Sequence, residues 1–103
     1  MRQFDVFKSP STATSKSAPF LMVLQSDLTI TRTTVVVAPL IAKRRLPEPS
    51  KLFPAFAVDG QHVVLAVTEL AAVRQQTLRE YVTNLAVHRD GIIAALDLLF
   101  FGI

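Results

Sequence analysis

Asp59-Gly60 stands between two apolar runs, Leu52 to Val58 and Val63 to Val67. A two-residue link that tolerates positive φ at both positions is the strongest short-range signal for a β-hairpin with a type I′ turn. The middle of the chain is therefore expected to pair antiparallel. Upstream, "QFDVFKS" puts Phe4 and Val6 on one face of a strand and Asp5 and Phe7 on the other. "FLMVLQSD" (Phe20 to Asp27) is a near-continuous apolar strand that ends in turn formers. "TTVVVAPL" (Thr33 to Leu40) is dense in β-branched residues, which suit a pleated sheet. Pro39 has no N–H to give a ladder, so this strand should end or reach an edge there.

Between these strands, Pro10 to Pro19 forms a Ser/Thr/Pro-rich loop, and "AKRRLPEPS" forms a charged one. From Glu69 to Val87 the signal is ambiguous. Leu70, Val73, Leu78, Val82 and Leu85 fall near helical spacing, and no breaker interrupts them. Read locally, much of this stretch is helical. The end is clearer: Asp90 can cap a helix start, Ile92 to Phe101 is a helix former's run, and Gly102 sits where helices stop. Strands first and helix last, without βαβ alternation, predict a single domain over 1–103 with an antiparallel sheet or small barrel and helical cover on one side.

The last helix carries an excess of apolar surface. On a wheel of about 100° per residue, Ile92, Ile93, Leu96, Leu99, Phe100 and Ile103 gather on a core face. Ala94, Asp97, Leu98 and Phe101 gather opposite, where a surface helix normally carries charge. The whole chain is 50% hydrophobic, with a mean hydropathy of +0.40. A domain of 103 residues cannot hide all of that, and an exposed apolar patch normally marks an interface. A two-fold homodimer is the simplest expectation, with Ile92, Leu98 and part of the third strand at its core. The terminal Phe101 either completes a core or forms a recognition tip with Asp97, Gly102 and Ile103.

These residues resemble the CcdB family, the toxin half of a toxin–antitoxin module. The likeness rests on "LQSDLTITRTTVVVAPL" and "HRDGIIAALDLLFFGI", and it runs along the whole chain: a "QF-V" first strand, Gln25-Ser26-Asp27, a "V-PL" strand, "LFP", the hairpin, and an aromatic-Gly-Ile close. The resemblance implies a mainly β (α+β) fold: an SH3-like five-stranded antiparallel sheet, a small three-stranded wing built from "LFPAFAVDGQHVVLAV", and a C-terminal α-helix. It also implies a strand, not a helix, near Leu70 to Val73. Its further implication is a cytoplasmic bacterial homodimer without catalysis of its own, which enters the DNA gyrase A subunit and traps the enzyme on cleaved DNA. A CcdA-like antitoxin would neutralise it. Carried over by position, the gyrase contacts are Asp27, Leu28, Asp97, Phe100, Phe101, Gly102 and Ile103. Two departures stand out: Phe101 replaces the family's tryptophan, and Asp97 its asparagine. A phenylalanine keeps the π face for a cation–π contact but loses ring area and the indole N–H.

Other features are less specific. Lys43, Arg44 and Arg45 are a solvated basic loop or an antitoxin contact. The net charge of +3 is too mild to argue for sequence-specific nucleic-acid binding. The chain has no cysteine, and His62 and His88 have no carboxylates at ligand spacing, so neither a metal nor a cofactor is expected. No apolar run is long enough to span a bilayer. A MazF/Kid-like messenger-RNA endoribonuclease on the same fold is the alternative, as is a homologue that no longer poisons gyrase. The Gly-Asp and Pro-Gly pattern typical of such ribonucleases is missing, whereas the aromatic-Gly-Ile end is present.

Overall fold

The computed structural model describes residues 1–11, 16–42 and 48–103. Seven strands form one antiparallel sheet, and a single α-helix among the described residues closes it. The strands are β1 (Asp5–Lys8), β2 (Phe20–Val23), β3 (Thr34–Ala42), β4 (Ala55–Val58), β5 (Gln61–Leu65), β6 (Ala71–Arg74) and β7 (Tyr81–Asn84), and the helix is α1 (Arg89–Phe101). β3 is the hinge of the topology. Its first half, Thr34 to Val37, pairs with β6, and its last residues, Leu40 to Ala42, pair with β5. One curled sheet therefore runs β6-β3-β2-β1-β7, and a wing runs β4-β5-β3, the expected five-plus-three plan with β3 shared.

The alternation of β1 to β3 explains why β2 and β3 read as unbroken apolar runs. Val6, Phe20, Met22, Ala38 and Leu40 face the core under α1, together with Ile92 and Ala95 of the helix. Phe7, Val23, Val35 and Val37 face the other way, where Leu78 and Ile30 help to cover them. Strands buried on both faces need no polar alternation.

The hairpin forms as expected. Val58 pairs with Gln61, and Asp59 and Gly60 have φ of 50° and 77°, the type I′ signature. Pro39, by contrast, neither ends its strand nor lies at an edge. Its carbonyl accepts the Ala66 N–H at 3.0 Å, so its nitrogen faces that same side. That is the gap where β3 passes from β6 to β5, and the only bond forgone is the reciprocal one to the Ala66 carbonyl.

The helical reading of 69–87 is wrong. Two short strands, β6 and β7, occupy the stretch, joined by a 3-10 turn at Gln75–Thr77. The register Val35↔Val73 and Val37↔Ala71 offers main-chain partners along β3, which outweighs a spacing that only coincidentally suits a helix. Two details of α1 also differ. The helix starts one residue before Asp90, with His88 at the N-cap making no side-chain cap bond, and Asp90 lies in the first turn. Ile92 is fully buried in its own subunit, so it cannot belong to a dimer contact.

At the chain start, Phe4 adopts φ of 70°, a rare conformation for a bulky residue. The Asp5 N–H donates to the Arg2 carbonyl at 3.1 Å, closing a tight turn around it. Burial of the Phe4 ring, and bonds from its N–H to Val23 O at 2.7 Å and from Leu85 N–H to its carbonyl at 3.0 Å, offset the strain.

Candidate functional site

Helix α1 begins over the sheet and ends beyond it. Ile92 and Ala95 are buried, with Ile93, Leu96 and Leu99 packed against the same core. Beyond Leu99 that support ends. Phe100, Phe101 and Ile103 are 60%, 74% and 76% exposed, so Phe100 and Ile103 leave the core face on which the helical wheel put them. A wheel gives direction around an axis, not whether anything lies in that direction. Gly102 stops the helix in the left-handed region at φ 73°, and its N–H donates to Leu98 O at 3.0 Å.

The two terminal rings stand 6.4 Å apart at 54° and offer an aromatic surface to solvent. Asp97 is half-buried one turn before Phe101, and its carboxylate has no hydrogen-bond or ion-pair partner among the described residues. Leu98 is half-buried on the same side of the helix. Lys51 Nζ donates to the Ile103 main-chain oxygen at 3.1 Å, which ties the tip to the segment entering the wing.

The other expected contact residues occupy the link between β2 and β3. A 3-10 turn, Asp27–Thr29, is capped by Ser26 Oγ, which accepts the Leu28 N–H at 3.3 Å. Asp27 is engaged within the chain: its Oδ1 accepts the Gln3 N–H at 2.6 Å, and Arg2 Nε lies 4.0 Å from its Oδ2. Leu28 at the apex is 96% exposed. Of the two acidic candidates, Asp27 is therefore engaged within the chain, and the Asp97 carboxylate has no partner among the described residues.

These two groups do not converge within one subunit. Asp27 shares a cleft of about 400 Å³ with Arg2, Gln3, Asn84, Ala86 and Arg89, which places it beside the start of α1. Phe101 lies at the other end of the helix, ~18 Å away along the axis at 1.5 Å per residue. Lys43, Arg44 and Arg45 lie outside the described residues. His62 is an exposed residue of β5, and the His88 ring packs 5.0 Å from that of Phe56. Sequence reasoning placed Lys51 beside the basic cluster but missed its bond to Ile103, and it missed the bonds made by the Gln25 side chain. The first carries no local signal, and the second was visible only as part of a motif.

A family model described as CcdB protein matches residues 3–102. No curated protein matches the chain.

Proposed function

The chain belongs to the CcdB family, toxins of toxin–antitoxin modules, and from that premise we propose that it poisons DNA gyrase by binding the A subunit and trapping the cleaved complex. The observation that carries this reading is the exposure of Phe101 and Ile103 at the end of a helix that buries Ile92 and Ala95 nearer its start. Folding leaves those side chains unused. Each covered apolar side chain of this size contributes about 1.5–3 kcal/mol to whatever covers it.

The contact is one of binding, not of catalysis. Phe100 and Phe101 supply aromatic faces, Asp97 supplies a carboxylate beside them that no described residue engages, and Gly102 lets the partner's backbone approach closely. An arginine of the partner could lie on the Phe101 ring and pair with Asp97, a cation–π contact of roughly 0.5–2 kcal/mol plus a charge-assisted bond. Leu28 and the adjoining Asp27 form the second contact. A homodimer would present two tips to a two-fold symmetric enzyme, with the half-buried Leu98 at the joint between copies. The protein acts in the bacterial cytoplasm in this reading, and a CcdA-like antitoxin releases gyrase by covering the same apolar surface, with the basic loop at Lys43, Arg44 and Arg45 meeting its acidic residues.

The test is DNA cleavage by the gyrase of the protein's own host. Linear DNA should accumulate when the protein is added, and a chain lacking Gly102 and Ile103 should leave the DNA intact. An equal yield of cleaved DNA with both chains would reject the tip, and no cleavage with either would reject gyrase as the target.

A further inference from the structure

Leu28 contributes almost nothing to the folded state, since it is 96% exposed, yet the loop that carries it is held closely. The Leu24 N–H donates to Val36 O at 3.0 Å, and a regular narrow pair would return the Val36 N–H to the Leu24 carbonyl. That carbonyl instead accepts Gln3 Nε2 at 2.9 Å. The Val36 N–H is taken over by Gln25 Oε1 at 2.9 Å, while Gln25 Nε2 donates to the Thr29 carbonyl at 2.8 Å. One carboxamide thus joins β3 to the far end of the Asp27–Thr29 turn. The Thr29 N–H and Oγ1–H both donate to Ser26 O, at 2.9 and 3.0 Å, and close the turn from within. On the other flank, Gln75 Nε2 donates to the Thr31 carbonyl and to Thr34 O.

The geometry points to Gln25 as the positioning residue that holds Leu28 out toward a partner. That the partner is gyrase rests on the reading above. An amide is needed because one end must accept and the other donate. Glutamate keeps the acceptor for Val36 and loses the donor for Thr29, so it severs only the link to the turn. Gln25 itself does not touch the partner; it acts through Leu28.

Gln25→Glu, Leu28→Ala and the double variant test this in two independent ways. Amide hydrogen exchange at Leu28 and Thr29 should speed up about tenfold in Gln25→Glu, because the turn loses its outer tie while the sheet keeps its own bonds. Unchanged exchange would overturn the assignment whether or not gyrase is the target. Affinity for the gyrase A subunit should fall roughly fivefold in Gln25→Glu and about tenfold in Leu28→Ala, with no further loss in the double variant, since residues acting as one unit are not additive. Losses that multiply would mean that Gln25 acts apart from Leu28, and would also overturn it. A wild-type chain with no affinity for gyrase would refute the gyrase reading, and the exchange result would still decide the role of Gln25.

Discussion

Two apolar stretches of α1 have opposite fates. Ile92 and Ala95 near its start are sealed against the sheet, whereas Phe100 and Phe101 at its finish lie more than half exposed. Nothing in hydrophobicity separates an isoleucine that is covered from a phenylalanine that is not. What separates them is where the sheet stops. The core face from Ile92 to Leu99 holds the domain together, and Phe100 and Phe101 are apolar surface that the domain does not use.

Substitutions along the helix sharpen this contrast. Ile92→Ala should cost the most, about 3 kcal/mol of unfolding free energy in a denaturant titration, because a fully buried aliphatic leaves a cavity. Gly102→Ala comes next, since an alanine at φ 73° costs about 1 kcal/mol, although a Cβ there would meet nothing. It should lower gyrase affinity as well by re-aiming Ile103. Gly91→Ala has the opposite sign. It lies in the first helical turn with open space around it, so alanine should raise stability by about 0.5–1 kcal/mol, visible as a higher melting temperature. Lys51→Ala should have the smallest effect, under about 0.5 kcal/mol in stability, because its bond to Ile103 is exposed. A large loss from Lys51→Ala would show that the tip is part of the fold and would collapse the contrast.

What could be read in advance divides along local and long-range lines. Asp59-Gly60 declared its turn because type I′ geometry needs positive φ at two adjacent residues, a purely local demand. Gly102 was legible for the same reason. β6 and β7 carried no local signal, and the strand near Leu70 to Val73 was expected from the family resemblance alone, since their strand state is imposed by partners on β3 and β1, far away in the chain. Pro39 misled because its effect depends on which side its nitrogen faces, and the split of β3 between two partners is invisible in sequence. The left-handed Phe4 gave no warning at all, as only its burial and two main-chain bonds hold it there.

The candidate site divides in the same way. Gln25-Ser26-Asp27 was recognisable as a motif, but its meaning lies in bonds to Val36, Thr29 and Gln3 that no spacing announces. Asp27 and Asp97 are the same residue type in one expected contact set, and the structure separates them into an engaged carboxylate and an open one. Phe100 belongs with Phe101 because the helix outruns its sheet, a matter of tertiary extent that periodicity does not encode.

The account depends on aromatic surface that serves a partner and not the fold. Measuring Phe101→Ala in parallel for affinity to the gyrase A subunit and for unfolding free energy addresses that directly. Affinity should fall about tenfold or more while stability stays within about 0.5 kcal/mol of the wild-type chain. A variant that binds as well as the parent, yet unfolds several kcal/mol more easily, would place Phe101 in the core of the molecule and contradict the account.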